Sequence, residues 1–183
     1  MRRKVTMDQG ILSELGDYLL AHSDEIVRDW LRAVERNVGM ISSKKLAYNE
    51  LVDHLPRLFQ ELAELLKSPQ SNQNRFEMSR AARVHGKRRW QQGYRLDDVI
   101  CEASIIRRIL FDKWVDAFAR QTPQFEGETR RAAENIIHQA VDDVVTESAT
   151  QFVEEQEKVI YRLNAELADA VFEMRWRRVL TCS

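Results

Sequence analysis

HGKRRWQQGYRLDDVICEASIIRR, from His85 to Arg108, places ionisable side chains on the apolar stripes of two consecutive helices. At about 100° per residue, Leu96, Val99, Ile100, Ala103, Ile106, Leu110, Trp114 and Phe118 share one face of a helix running to Arg120. Arg107 points into that same face. On the helix before it, Met78, Ala81, Ala82, His85 and Arg89 line up by the same count. Gly93 between them reads as a left-handed helix stop. A buried guanidinium must be paired, because an uncompensated buried charge is heavily destabilising. The stretch therefore predicts helices and raises the question of what His85, Arg89 and Arg107 bond to.

Working outward, the same periodicity continues. Asp8 to Ala21 reads as a first helix with Ile11, Leu12, Leu15, Tyr18 and Leu19 as its stripe. Ser23 reads as the N-cap of a second, with Asp24 and Glu25 in the first turn, and this helix ends near Asn37 and Gly39. A third starts at Ser42 or Ser43 and carries Leu51, Leu55, Leu58, Leu62 and Leu65, with His54 on the same face. Pro56 lacks the donor for residue 52, so this helix kinks or restarts near Leu55. Ser68 to Asn74 reads as a polar loop, Arg75 to Gln92 as the fourth helix and Leu96 to Arg120 as the fifth.

From about Glu126 to Arg178 nothing breaks the last helix, which at 1.5 Å per residue extends roughly 75–80 Å. Its first half has a broad stripe: Ile136, Ile137, Ala140, Val141, Val144 and Val145. Its second half narrows to Val153, Gln156, Ile160, Leu163, Leu167, Ala170 and Met174, the a and d spacing of a coiled coil over about three heptads. Polar Gln156 in that seam is suited to fixing register. The expected organisation is a helical sensory domain over 1–152 and a C-terminal signalling helix over 153–183. The fold class is all-α: a multi-helix bundle whose long last helix extends as a parallel coiled coil.

Composition sets the bounds. The 183 residues are 44% hydrophobic and 31% charged, enough for one domain with a real core. Only 6 Gly and 3 Pro leave few tight turns for a sheet-rich fold. The 28 basic and 29 acidic residues nearly cancel, so no global field favours nucleic acid. Lys87, Arg88, Arg89 and Trp90, with Arg83 and Arg95 nearby, form a basic run, but its mixed helix face reads as a solvated surface. Cys101 and Cys182 match no metal spacing and fit a reducing compartment. With no apolar segment after the basic start and no membrane-length run, the chain reads as soluble and cytoplasmic.

Catalysis finds no support: there is no Gly-rich phosphate loop, nucleophile elbow or H-x-x-x-H pair. His54, His85 and His138 fall on apolar stripes and His22 at a helix boundary. Without a second ligand at helical spacing they read as satisfied core histidines; the alternative is a haem ligand, His85 or His138. Arg89 and Arg107 have two readings. One is a structural ion pair with Asp53, Glu102 or Glu134. The other is a pocket for an anionic or polar signal using His85, Arg89, Tyr94 and Arg107 as donors.

DHLPRLFQELAELL from Asp53 and ARVHGKRRWQQGYRLDDVICEASIIRRIL from Ala82 resemble the N-terminal domain of RsbRD-type RsbT co-antagonist proteins. That domain also stands at the front of many bacterial sensor histidine kinases. The family's D-H-L-P element falls on Asp53, His54, Leu55 and Pro56, and its H-x-x-x-R on His85 and Arg89. Gln92, Gly93 and Tyr94, then Glu102, then Ile106 and Arg107 occupy the remaining positions. Arg95 stands for the usual Ser and Ile106 for the usual Leu. Ala103 stands for the usual aromatic, which leaves room for a small cavity. The resemblance spans about Leu12 to Phe152. It implies a sensory, non-catalytic, globin-like domain without haem that forms a homodimer and acts on an output domain or partner signalling protein. LNAELADA, from Leu163 to Ala170, is similar to the segment that precedes a phospho-acceptor domain in such kinases. VFEMRWRRVLTCS after it lacks the H-E/D-x-x-N/T-P box, so kinase activity is not expected of this chain.

Overall fold

The computed structural model describes residues 7–37, 48–52 and 55–181. Eight α-helices are found among them: α1 Gln9–Ala21, α2 Ser23–Arg36, α3 Tyr48–Val52, α4 Leu55–Lys67, α5 Asn72–Gln91, α6 Leu96–Ile109, α7 Asp116–Gln121 and α8 Gly127–Thr181. A π-helical turn, Leu110–Val115, joins α6 to α7, and no strand occurs among the described residues. The all-α bundle with a long last helix is therefore the fold. Gly39, Ser42, Ser43, Asp53, His54 and Cys182 lie outside the described residues.

The helix starts differ from expectation where capping decides them. Asp8 caps α1 by accepting from the Gly10 and Ile11 amides, as its short carboxylate allows. Ser23 is the first residue inside α2 rather than its cap; His22 takes that place without a side-chain bond, because its Nδ1 faces the Tyr18 carbonyl at 2.8 Å. Ser71 caps α5 by accepting from Asn74 N, so Asn72 to Asn74 are helical instead of loop. Gly93 has φ +73°, the left-handed stop after α5.

One core unites the helices. Leu12, Leu15 and Leu19 of α1 meet Phe59, Leu62 and Leu66 of α4, while Trp30 of α2 and Ile137 of α8 close the middle. α5 lies along the first half of α8, and Gly86 makes that approach: a Cβ there would overlap the Ser148 backbone. A smaller cluster, Tyr94, Val99 and Phe152 with Trp90 and Leu96, covers the end where α8 leaves the bundle.

The expected stripe is buried at Val99, Ala103, Leu110, Trp114 and Phe118, and the structure departs from it at Ile100 and Arg107. Asp98, Val99, Glu102, Ala103 and Ile105 are buried, whereas Ile100 is exposed and Arg107 stands at the rim with a side chain 34% exposed. Two causes act. Glu102 turns inward to meet a buried cation, and the wider π turn beyond Ile109 shifts the phase so that Trp114 and Val115 are both buried.

The 55 residues of α8, about 80 Å at 1.5 Å per residue, divide into two regimes. Ala133, Ile137, Ala140, Val141, Ser148 and Phe152 are buried in the bundle. Beyond them Val153, Gln156, Ile160, Leu163, Leu167, Ala170 and Met174 are all exposed, Leu167 at 63%.

Candidate functional site

The centre of the site is Arg89, fully buried on α5. Each of its three guanidinium nitrogens donates to a protein group. Nε donates to Glu102 Oε2 at 2.9 Å. One terminal nitrogen donates to Gln92 Oε1 at 2.7 Å and to the Glu50 carbonyl at 3.4 Å, the other to the Leu51 carbonyl at 2.9 Å. Gln92 also donates to Glu50 O at 3.1 Å, so α3 is fastened to α5 at two points. The Tyr94 ring lies under the guanidinium, 4.5 Å from its carbon to the ring centroid. An arginine suits this place because its planar fork serves a carboxylate, an amide and two carbonyls at once.

Glu102 shares its Oε2 with His85, whose Nε2 lies 3.3 Å away. On the other side of the ring, Nδ1 faces Ser148 Oγ at 3.2 Å, and Ser148 donates to the Ala82 carbonyl at 2.9 Å. Trp30 Nε1 donates to the Glu102 backbone carbonyl at 3.3 Å. The chain of contacts thus runs from α3 through Arg89, Glu102 and His85 to Ser148 on α8. Burial, reinforced by the neighbouring Glu102 carboxylate, pushes the Tyr94 phenol far above the ordinary tyrosine range. Among the described residues its hydroxyl meets no well-directed acceptor.

Four of the expected site residues, His85, Arg89, Tyr94 and Glu102, come together here. Arg107 does not. It pairs with Asp142 on α8 at the surface rather than with Glu102 or Glu134, Asp53 lying outside the described residues, and among the described residues its buried Nε meets no hydrogen-bond acceptor. Glu134 instead accepts from Arg130. The basic run divides: Lys87 and Arg88 are exposed while Arg89 turns inside. Ser148, Trp30 and the Glu50 and Leu51 carbonyls were not singled out by sequence. A small hydroxyl in an otherwise apolar stripe, four residues beyond Val144, is the one signal that could have marked Ser148.

Beside this network lies a cavity of about 60 Å³ between α2, α4, α5, α6 and α8. Its walls are almost wholly apolar, with His85 and Glu102 the exceptions, and Ala103 lines it. The short side chain at that position leaves space, as the sequence suggested.

A haem does not fit the arrangement. The cavity is far below the 300–1,000 Å³ or so of ordinary ligand pockets. Both ring nitrogens of His85 face protein groups, Ser148 and Glu102. His138 is exposed rather than buried and stacks on Phe111 at 4.2 Å between ring centroids. Among the described residues no group of three His, Cys, Asp or Glu side chains is placed to hold a metal, and no helix is long and apolar enough to cross a membrane.

A family model described as the RsbT co-antagonist protein rsbRD N-terminal domain matches residues 24–167, well over half of the chain. The chain belongs to this family. No curated protein and no solved structure matches it. The matched span includes α2 from its second residue, all of α3 to α7, the whole Arg89 network and the first part of the exposed seam. Membership makes this a stress-response regulatory domain.

Proposed function

We propose that this domain is a non-catalytic, cytoplasmic sensory and dimerisation module of a bacterial signal-transduction protein. It passes a change of packing in the bundle through α8 to an output domain or partner signalling protein, in a sensor histidine kinase or a stress-response regulator. One observation carries the reading: α8 is a single helix, core-packed up to Phe152 and bearing an unpartnered heptad seam from Val153 to Met174. A helix continuous through its middle can carry a shift or rotation of its first half into its second when the bundle repacks. Ser148 and Arg83 are its bonds to α5; Arg83 donates to Glu154 at 2.7 Å and to Glu147 at 3.4 Å.

Against a second copy the seam would bury its apolar side chains, and matching a and d positions favour a parallel pair. Light scattering tests this. The intact chain is expected at twice its own mass, and a Leu163→Asp/Leu167→Asp variant at the single mass with the bundle still folded. Equal masses for the two would overturn the pairing.

A second reading, a dimerisation scaffold without a ligand, is favoured by the bonding of all three guanidinium nitrogens of Arg89 within the protein. The two differ in whether changes in the core reach the tail. A haem sensor is the third reading; adding haem to the purified chain is expected to leave the broad absorption of free haem unchanged, and a sharpened, shifted Soret band would restore it.

A further inference from the structure

We propose that the cavity beside His85 and Glu102 is a binding site for a compact, neutral, apolar molecule of a few heavy atoms. The proposal deepens the sensory reading and rests on it for the consequence in the tail, though not for the binding itself.

Size sets the first limit. About 60 Å³ is room for several water-sized spheres at 10–15 Å³ each, and less than half of the roughly 150 Å³ of an apolar cavity known to stay dry and admit benzene or xenon. Charge sets the second. An anion would meet the Glu102 carboxylate, and the cation that answers this carboxylate, Arg89, is spent on protein acceptors. A cationic ligand would trade its hydration for walls of Trp30, Phe59, Leu62 and Val141, a heavy desolvation cost. Water is poorly served too. A buried water typically makes about three hydrogen bonds, and the polar wall is only the His85–Glu102 edge, where both ring nitrogens of His85 and Oε2 of Glu102 already face protein groups. The occupant that loses least on entry is small and apolar.

The position of the cavity gives binding a consequence. Ala140, Val141 and Val144 bring α8 to its wall, and Trp30 on the opposite wall bonds the Glu102 carbonyl. An occupant therefore touches both the helix that leaves the domain and the carboxylate at the centre of the polar network.

Xenon is the probe, followed by xenon NMR on the full chain. The expected result is a saturable shift in the wild type. Ala103→Leu and Ala140→Val each add bulk into the space and are expected to remove the saturable part while melting as cooperatively as the wild type. Ala140→Val adds less, so it carries the test if Ala103→Leu does not fold. A wild-type shift that is linear in xenon pressure would overturn the proposal. So would saturation that survives in a folded filled variant. A tail–tail distance that ignores bound xenon would leave the site and remove its sensory role. Absence of binding in a chain whose tail still responds to changes at Glu102 would remove the site and leave the sensory reading.

Discussion

Arg89 is fully buried and spends its charge on one carboxylate, one amide and two carbonyls. Removing it strands the Glu102 carboxylate, 3% exposed, in the interior. Arg89→Ala is therefore expected to lower unfolding stability by about 3–5 kcal/mol, the range for breaking a buried pair. Arg89→Met/Glu102→Leu removes both charges and is expected to recover most of that loss, as urea denaturation would show. Equal losses in the single and double variants would mean that packing, not charge, explains the site. Tyr94 gives a pH test. Its folded-state pKa is raised above the unfolded value near 10, so its contribution is complete below about pH 10 and lost as pH rises beyond it. The alkaline decline in stability is expected to be shallower in Tyr94→Phe, by up to about 1.4 kcal/mol per pH unit for one proton. Identical declines would place the buried phenol elsewhere. His85 and Arg89 were legible in the sequence because α5 is a regular helix whose period carries them inward beside Met78 and Ala82. Arg107 was misplaced because α6 presents Glu102 to the core, and that turns residue 107 to the rim beside Asp142.

The decisive element pair is α5 on α8. Gly86 lets the two helices approach so closely that Ser148 reaches both the Ala82 carbonyl and the His85 ring. Gly86→Ala is expected to cost about 1–3 kcal/mol as overpacking, at the upper end because the obstacle is backbone. It should also expose Trp90, which meets Phe152 edge-on at 5.3 Å, to fluorescence quenchers. A variant as stable as the wild type would show that the helices can part without loss. The long continuous helix was plain in the sequence, having neither Pro nor Gly after Gly127. The π turn was not: LFDKWV carries no residue that breaks a helix, and only tertiary packing, with Asp29 accepting from both Lys113 and Trp114, shows where it lies.

At the scale of the molecule, a polar core, a small apolar cavity and an exported seam share one helix. Alternation of stripes told which faces are buried in the bundle, and heptad spacing told where α8 turns to a different task. Neither could show that Ser148 links the polar core to that helix, because a lone serine in an apolar stripe marks a position but not its partners. The central claim is that repacking around Glu102 moves a paired tail. The direct measurement is the spin–spin distance between labels at Glu173→Cys in the two copies, with Cys101 and Cys182 replaced by serine. Position 173 flanks the end of the seam, so only a parallel pair brings the two labels close. The expected result is a short, narrow distance in the chain with its native core, which shifts or broadens in Arg89→Met/Glu102→Leu. No distance above background, or the same distribution in both proteins, would contradict the account.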